Sequence, residues 1–393
     1  MRILAVHNYY LLPGGEDQVY QAEIGLLRSR GNEVYEYAVS NDRIATMNRV
    51  SLGIHTIWSL QSFRHIKSLL QRIKPDLVHF HNIFPLLSPS VYYSCHSEAV
   101  PVVQTLHNYR NICASALLLR DGKPCQDCLY KAVPWPGIFH ACYRNSYLAS
   151  ASVSAMLINH KILNTWKRRI DCYIALTNFA RQLFLSCGFP DEKIAIKPNF
   201  VSIDPGVKRS AGSFGLFIGR LSPEKGVHTL ARAWNNLSII PLQIVGDGPE
   251  HGKLVNYIGL HGMKNIVLTG HLGREKVVGI LKNSRFLILP SLYYEGFPLV
   301  LAESFSCGTP VIASRLGAMA EIVEDGKTGL LFTPGDAEDL AEKVEWAWNH
   351  PAEMAEMGKA ARREYEEKYT AERNYQMLME IYQKAIENHQ RRQ

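Results

Sequence analysis

Residues 286–314 read FLILPSLYYEGFPLVLAESFSCGTPVIAS and contain one complete strand–helix–strand unit. The apolar run Phe286–Leu289 predicts a buried strand. A turn at Gly296 leads to a helix that begins near Pro298, and Val311–Ala313 predicts the next strand. A helix between two buried strands indicates that the strands are parallel and belong to one sheet.

The same alternation extends from this unit through the rest of the chain. Further apolar runs, separated by helix-length segments, are found at Ile3–Val6, Glu33–Val39, Leu77–His81, Val100–Leu106, Cys172–Leu176, Gly215–Ile218, Leu242–Val245 and Ile266–Thr269. Each half of the chain has its own set. The sequence therefore predicts the α/β class, with two doubly wound, Rossmann-like domains.

The domain boundary is expected where Pro198, Pro205 and Gly206 interrupt the alternation. We assign residues 1–205 to the first domain and 206–370 to the second. Residues 371–393 are expected to form a helix that packs back on the first domain. Residues 108–145 are rich in proline and cysteine and do not fit the alternation, so we interpret them as an insertion.

Length and composition exclude several classes of protein. The 393 residues are 47% hydrophobic and 20% charged, which is typical of a globular protein and not of a disordered, collagenous or coiled-coil chain. The sequence has no apolar run of the roughly 18 residues that a membrane span needs. The first apolar stretch is too short for a signal peptide, and we expect a cytoplasmic protein.

The net charge of +7 comes entirely from residues 1–205. A nucleic acid, an anionic lipid or a phosphorylated substrate would each explain a basic half. Ordinary scatter in composition is the alternative, because the excess is modest for a chain of this length.

Residues 217–226 read FIGRLSPEKG and form the first candidate binding loop. A strand is expected to end at Gly219, and a helix to begin near Val227. The loop between them carries Arg220 and Lys225. Two cations beside a helix N-terminus suit a diphosphate, whereas a solvated turn is the alternative.

Glu295 and Glu303 are eight residues apart on either side of the turn that follows Phe286–Leu289. The turn has Gly296 before the helix, and its backbone N–H groups belong to Phe297, Leu299 and Val300, since Pro298 has none. Glu303 lies in an apolar run, where an unpaired carboxylate is costly. A partner is implied, and two ribose hydroxyls would suit it.

Two glycine-containing turns are weaker signals. Gly246, Asp247 and Gly248 end another predicted strand. Gly14 and Gly15 follow the first strand and precede the first helix, at the position of a phosphate loop. Their spacing matches neither a dinucleotide-binding fingerprint nor an ATP-binding loop.

Taken in order, GRLSPEKG at 219–226, VGDGP at 245–249, the stretch 286–314 and GKTGLL at 326–331 resemble the family 4 glycosyltransferases. The resemblance covers nearly the whole chain. It implies the GT-B fold, in which two Rossmann-like domains face a central cleft that holds the active site.

The resemblance also implies roles for individual residues. Arg220 and Lys225, beside Gly219, would hold the donor diphosphate, and Glu303 would bind the ribose. Glu295 and the turn 296–298 would face the transferred sugar. Residues 269–272, which include His271 and Leu272, would line the base.

In the first half, Gly14 and Gly15 match the glycine pair of the donor-side loop. The family's glutamate two residues later is Asp17 here, and Glu16 fills the gap. His107 matches a histidine near the donor sugar, but Asn108 replaces the aspartate that often follows it. Read alone, His107 would be a packed histidine, and we interpret His79 and His81 as packing residues.

By this resemblance the protein is a retaining enzyme that moves a sugar from a UDP-, GDP- or ADP-sugar to a glycan, lipid-linked or small-molecule acceptor. Arg220, Lys225, Glu295 and His107 form the predicted catalytic set. The sequence has no Asp-x-Asp pair placed to hold Mg²⁺, so no catalytic metal is expected. A GT-B-fold sugar-nucleotide epimerase and a non-catalytic sugar-nucleotide-binding protein are the alternatives.

The basic run 166–169 and the charge of the first half predict peripheral contact with an anionic inner membrane face, with no nucleic-acid partner. A solvated helix end is the alternative interpretation of this run.

Four cysteines, Cys113, Cys125, Cys128 and Cys142, have the spacing C-x11-C-x2-C-x13-C. This spacing permits a closed, structural zinc site. Reduced cysteines that pack in the interior, or a disulfide, are the alternatives.

Overall fold

The computed structural model describes residues 1–11 and 14–392. The strands in this part of the chain are β1 (Arg2–Tyr9), β2 (Glu33–Ser40), β3 (Leu77–Phe80), β4 (Val102–Leu106), β5 (Leu119–Arg120), β6 (Lys123–Pro124), β7 (Cys172–Ala175), β8 (Ile194–Ile196), β9 (Gly215–Ile218), β10 (Leu242–Val245), β11 (Ile266–Gly270), β12 (Phe286–Leu289), β13 (Val311–Ser314) and β14 (Gly329–Phe332).

The helices are α1 (Gly15–Ser29), α2 (Arg49–Ile57), α3 (Leu60–Ile73), α4 (Ser90–Ser97), α5 (Trp135–Phe139), α6 (Tyr147–Ile162), α7 (Thr165–Arg168), α8 (Asn178–Ser186), α9 (Val227–Ala233), α10 (His251–Leu260), α11 (Arg274–Asn283), α12 (Leu299–Ser306), α13 (Gly317–Ile322), α14 (Ala337–Asn349), α15 (Pro351–Lys368) and α16 (Ala371–Gln390). No helix of the described residues is both long enough and apolar enough to span a bilayer.

The chain divides into two compact units. The first comprises Met1–Leu118, Gln126–Pro198 and Glu372–Gln393, and the second comprises Leu119–Cys125 and Asn199–Ala371. Each unit has a six-stranded sheet whose strands are all parallel. The predicted α/β class with two doubly wound sheets is confirmed.

The strand orders locate the binding edge of each sheet. The first sheet has the order β2-β1-β3-β4-β7-β8, and the second has β11-β10-β9-β12-β13-β14. The order reverses direction between β1 and β3 and between β9 and β12. In open parallel sheets, ligands bind beyond the carboxyl ends of the strands at such a reversal. The loops that follow these four strands are therefore the candidate site segments.

Helix α16 belongs to the core of the first unit. Its buried apolar residues recur at helical spacing and are Leu378, Ile381, Tyr382 and Ala385. They pack in one cluster with residues of β1 and of α1, including Ile3 and Tyr20. The amphipathic pattern of the tail thus closes one face of the first sheet.

The edge strands β8 and β14 are not among the predicted strands. β8 has only three residues and pairs only with β7, and β14 pairs only with β13. A run of three or four apolar residues is too short for its periodicity to distinguish a strand from another buried segment. Between residues 108 and 145 the structure has the two-residue antiparallel pair β5–β6 and the single-turn helix α5.

Candidate active site

Two loops meet at the strand-order reversal of the second unit. They are residues 219–226 after β9 and residues 290–298 after β12. The backbone N–H of Leu292 donates to the carbonyl of Glu224 at 2.8 Å. Gly226 has φ +71°, and a Cβ there would lie 1.8 Å from the carbonyl oxygen of Pro290. Only glycine fits this contact, so the glycine of the motif keeps the two loops edge to edge.

Lys225 and Glu295 form a direct ion pair across these loops. Lys225 Nζ lies 2.6 Å from Glu295 Oε1. The hydroxyl of Ser291 donates to the same carboxylate oxygen at 2.7 Å, and the hydroxyl of Tyr293 donates to Oε2 at 2.7 Å. Glu295 is buried. The burial of the Tyr293 hydroxyl, together with the charge of Glu295, raises the pKa of Tyr293 well above the usual value. Tyr293 therefore remains a hydrogen-bond donor to the carboxylate.

Arg220 is more accessible than Lys225. Its Nη2 lies 2.8 Å from Glu224 Oε1, which also accepts a hydrogen bond from the Ser222 hydroxyl at 2.7 Å. Burial alone would raise the pKa of Glu224, but the hydrogen bonds from Ser222 and Arg220 outweigh it and lower the pKa. Half of the Arg220 side chain is exposed at the end of β9, where it can reach an anion.

The loop after β10 packs against the loop after β9. The N–H of Leu221 donates to the carbonyl of Asp247 at 2.9 Å. A Cβ on Gly246 would lie 1.9 Å from the carbonyl oxygen of Gly219. A Cβ on Gly248 would lie 2.4 Å from that of Leu221. The glycines of this turn thus permit close backbone approach, while the Asp247 side chain is exposed.

His271 and Leu272 follow β11 at the same edge of the sheet. His271 is exposed and Leu272 is half-buried. The N–H of Gly246 donates to the carbonyl of Gly270 at 2.9 Å, which connects this turn to the loop after β10. Three predicted binding loops therefore follow three neighbouring strands.

Helix α12 begins at Leu299, directly after the turn that contains Gly296, Phe297 and Pro298. The amides of Leu299 and Val300 belong to the first turn of this helix, whose N–H groups lack intrahelical acceptors. The carbonyl of Phe297 accepts a hydrogen bond from Asn199 Nδ2 at 3.4 Å, which holds the turn.

Glu303 lies one turn further along α12 and is buried. Burial raises the pKa of Glu303, although the charge of Arg274 opposes the rise. None of the described residues gives its carboxylate a hydrogen bond or an ion pair. A carboxylate in this environment gains stability from hydroxyl donors, as the sequence predicts for a ribose.

In the first unit, both carboxylate oxygens of Asp17 have partners near the start of α1. Its Oδ2 accepts from the N–H of Gly14 at 2.8 Å, and its Oδ1 lies 2.6 Å from His7 Nε2. Gly15 is exposed at the first position of α1. Asp17 therefore caps the helix and orients His7.

Glu16 is the less constrained carboxylate of this loop. Asn108 Nδ2 donates to its Oε2 at 3.3 Å, and its buried Oε1 has no hydrogen-bond partner among residues 1–11 and 14–392. Burial and the neighbouring Asp17 raise the pKa of Glu16 to about 8. Glu16 is thus largely protonated at neutral pH and can donate as well as accept.

His107 follows β4 and is the outermost member of a buried chain of contacts. Its Nε2 lies 3.0 Å from His81 Nδ1, and the two rings stack at 23°. His81 Nε2 faces Glu23 Oε2 at 3.5 Å. Glu23 Oε1 in turn pairs with Lys197 Nζ. The chain runs from a buried lysine to a histidine at the carboxyl end of the sheet.

The contacts between these buried side chains favour one placement of the hydrogens on His81 and His107. Burial, with neighbouring positive charge, lowers the pKa of His81 and of His107 well below the usual value, so both rings are neutral at pH 7. The 3.5 Å between His81 Nε2 and Glu23 Oε2 is too long for a hydrogen bond, but a hydrogen on Nε2 is the arrangement that the nearby carboxylate favours electrostatically. His81 Nδ1 then accepts, and His107 Nε2 donates. This leaves the Nδ1 lone pair of His107 available to a hydroxyl group.

Two family models match the chain. The model described as Glycosyltransferase Family 4 matches residues 13–205, and the model described as Glycosyl transferases group 1 matches residues 205–364. The chain belongs to this family of glycosyltransferases. The resemblance seen in the motifs is therefore confirmed.

Similar proteins agree with this assignment. An uncharacterized glycosyltransferase of Methanocaldococcus jannaschii is 32% identical over 44% of this chain, and the match spans 48% of that protein. The O-antigen chain mannosyltransferase C of Escherichia coli is 23% identical over 99% of this chain and 100% of its own length.

Among solved structures, Anabaena HepE in complex with UDP-glucose has a TM-score of 0.70, with 17% identity over 97% of this chain and 99% of that chain. At this identity the likeness shows the fold, which is that of the GT-B glycosyltransferases.

Several buried residues of the first unit are not among the predicted site residues. Glu23 lies on the buried side of α1 between Tyr20 and Ile24, and Lys197 is fully buried after β8. A charged residue within an apolar pattern is the signal that could have identified each of them. His79 fits the predicted packing role, because its two nitrogens lie 2.8 Å from the hydroxyls of Tyr382 and Thr105.

Two groups in the first unit have ligand atoms close enough for a metal ion. They are Glu23 with His79 and His81, and His7 with Glu16 and Asp17. In the first group, the ammonium of Lys197 already neutralises Glu23. A second cation there would be repelled by this ammonium, which argues against a metal ion in that group.

The four cysteines of the insertion have different environments. Cys113 is buried, and its Sγ lies 3.2 Å from Ser115 Oγ, whereas Cys125, Cys128 and Cys142 are half-buried. Cys113, Cys128 and Cys142 belong to the first unit, and Cys125 belongs to the second. The zinc site stays a prediction.

Proposed function

We propose that this protein is a retaining glycosyltransferase that moves a sugar from a nucleoside-diphosphate sugar to a glycan or lipid-linked acceptor without a divalent metal. The observation that carries the proposal is the cation–carboxylate arrangement of Lys225 and Glu295, beside Arg220 and the start of α12. It lies at the strand-order reversal of the second unit, which is the usual ligand position in such sheets.

In this proposal the donor diphosphate binds to Arg220, Lys225 and the N–H groups at the start of α12. Negative charge develops on the diphosphate as the glycosidic bond breaks. Fixed cations and amides stabilise that charge in place of a divalent ion. Glu303 accepts hydrogen bonds from the ribose, and residues 269–272 line the base.

Glu295 and His107 act on the transferred sugar. Ser291 and Tyr293 hold the Glu295 carboxylate in place, so it can stabilise positive charge at the sugar ring when Lys225 also contacts phosphate. His107 offers Nδ1 to a sugar hydroxyl. The acceptor binds on the side of Gly14 and Glu16. Because the first half is basic, we propose that an anionic membrane face supplies it, which places the enzyme on the cytoplasmic side.

The relatives support this proposal through what their names state. One full-length relative is a mannosyltransferase of O-antigen chains, and a solved structure with the same fold holds UDP-glucose. Both names fit a nucleotide-sugar donor and a glycan product.

The test is a thermal-shift screen with UDP-, GDP- and ADP-sugars, followed by NMR analysis of the product. A bound donor raises the melting temperature, because binding favours the folded state. The anomeric coupling of the product reports whether configuration is retained, and turnover should survive brief EDTA treatment. A donor that is converted to its epimer without any acceptor would show an epimerase. Rate lost in EDTA and restored by Mg²⁺ would reject the metal-independent step.

A further inference from the structure

Two segments of the first unit are rich in cations and contain no carboxylate. Residues 43–75 contain six lysines and arginines without any aspartate or glutamate, and residues 128–170 likewise contain six without any. The first segment includes α2 and α3, and the second includes α5, α6 and α7. These two stretches therefore carry more positive charge than the net +7 of the whole chain, and the other residues together are net negative.

Helix α2 of the first segment and helix α5 of the second both pack against α6. A Cβ on Gly53 of α2 would lie 3.0 Å from Ser152 Oγ of α6. A Cβ on Gly137 of α5 would lie 4.0 Å from Ser154 Oγ, which also belongs to α6. Helix α6 is thus flanked by α2 and α5, and we call the outer surface of these three helices the α2–α6 face.

The cations of the two segments are mostly without carboxylate partners. Lys67 lies 3.3 Å from Glu98. In the described part of the chain no other lysine or arginine of these segments forms an ion pair. Among these cations, Arg49 lies on α2, Lys161 on α6 and Lys167 on the neighbouring α7, and positive charge without a carboxylate partner attracts an extended anionic partner.

The same helices expose large apolar side chains. They are Val50 and Ile54 on α2, Trp135 and Phe139 on α5, and Tyr147, Leu148 and Ile162 on α6. Leu148 is 83% exposed and Phe139 71% exposed. The ring centroids of Trp135 and Phe139 lie 6.4 Å apart, while Gly137, between them in the sequence, faces inward. Single exposed apolar residues are ordinary, but seven of them on three adjoining helices indicate an interaction surface.

A cavity of about 300 Å³ lies beside this face. Leu157, Ile158 and Trp166 contribute apolar walls, and Lys131, Lys161 and Lys167 contribute the charge. Lys161 Nζ donates to the carbonyl of Lys131 at 3.1 Å, which draws two of these lysines together. No residue that lines the cavity is acidic. An anionic group attached to an apolar chain matches both kinds of wall.

We propose that the α2–α6 face docks on an anionic lipid bilayer, with its apolar side chains between the headgroups and a lipid phosphate in the lysine-lined cavity. A nucleic acid would use the cations but would leave the aliphatic side chains exposed. A bilayer accommodates both. The inference deepens the proposed function by naming the surface that reaches a lipid-linked acceptor.

The experiment uses the full chain with phosphatidylcholine vesicles, with and without phosphatidylglycerol. Binding to the anionic vesicles should be tighter by about tenfold or more and should weaken at high salt. The variant Phe139→Ser/Leu148→Ser should lose about tenfold of this binding. The matched control is Ile239→Ser/Leu260→Ser, which removes equally exposed residues from the second unit and should bind like the wild type. Lys131→Gln/Lys161→Gln should reduce only the preference for the anionic vesicles.

The proposal would be overturned by equal binding to both kinds of vesicle or by no binding to either. Binding to duplex DNA that is tighter than binding to the anionic vesicles would overturn it too. Unchanged binding by Phe139→Ser/Leu148→Ser would overturn it as well. Donor affinity measured without vesicles is a separate readout. If vesicles bind and no nucleotide sugar does, the proposed function fails and the docking surface stands.

Discussion

The two strand-order reversals of this protein are built in different ways. In the second unit, the proposed donor-binding groups come from loops of ten residues or fewer around Lys225 and Glu295. In the first unit, the corresponding position is a chain of buried side chains from Lys197 through Glu23 and His81 to His107. The comparison shows that one site is a local arrangement of loop residues, whereas the other depends on tertiary packing.

This difference predicts where mutations act. A substitution in the donor loops removes a group that would touch the ligand. A substitution in the histidine chain changes how His107 presents its nitrogen. The first should give large losses in rate, and the second should give smaller ones with a spectroscopic signature.

The largest effect is expected for Lys225→Ala, with turnover reduced on the order of 10²-fold or more, because a charge-assisted contact to the leaving diphosphate is lost. The variant also leaves the buried Glu295 without its cation, so the melting temperature must be measured alongside the rate. Lys327→Ala is the matched control, because it removes a lysine from an exposed pair with Glu324 at 2.7 Å. Near wild-type turnover in folded Lys225→Ala would contradict the donor site.

Substitutions of Glu295 and Glu303 should affect kcat and donor affinity differently. Glu295→Gln should lower kcat by about tenfold or more, since its charge matters most as positive charge develops on the sugar. Glu303→Gln should mainly weaken donor binding, because ribose contacts are present in the ground state as well. Calorimetric donor affinity beside steady-state kcat checks both. If Glu295→Gln abolished binding with kcat intact, or Glu303→Gln left affinity unchanged, the two roles would be wrong.

Much of the second site could be predicted from the sequence, and little of the first. Gly226, Gly246 and Gly248 lie in short motifs, and each is required by a backbone contact a few ångströms away. The residues that support His107 are far apart in the chain, and Tyr382 reaches His79 only because α16 folds onto the first sheet. No local pattern encodes such a network, although a glutamate on the apolar side of α1 was a visible signal.

His81→Gln should reduce kcat by several-fold and change the tautomer of His107. A glutamine can present either its oxygen or its amide nitrogen, so the hydrogen of His107 is no longer fixed on Nε2. Long-range ¹⁵N NMR of the imidazoles should show an unprotonated Nδ1 in the wild type and a mixture in the variant. Glu23→Gln/Lys197→Met tests the same chain with both charges removed together. A wild-type spectrum with the hydrogen of His107 on Nδ1 would refute the arrangement.

Glu16 should make stability depend on pH. Burial and Asp17 raise the pKa of its carboxyl from 4.5 to about 8 in the folded protein. The folded state therefore holds a proton that the unfolded state releases, and stability falls as pH rises from about 4.5 to about 8. Glu16→Gln should remove part of this fall, with the largest gain in melting temperature near pH 8. Parallel pH profiles for the wild type and the variant would reject the raised pKa.

The smallest effect on donor turnover is expected from the four cysteines. If Cys113, Cys125, Cys128 and Cys142 bind zinc, the protein purified without chelator should carry about one equivalent, since four thiolates complete a tetrahedral site. Cys128→Ser should then lose the metal and lower the melting temperature, because metal binding contributes to folding. Cys307→Ser is the control, since Cys307 is a buried cysteine of the second unit outside the insertion. Four thiolates leave no open coordination position, so donor turnover by the folded variant should stay within about twofold of the wild type. If elemental analysis finds no zinc, the zinc site is rejected. If donor turnover depends on zinc, the metal takes part in catalysis, and the first unit would then also contribute a locally encoded group to the reaction.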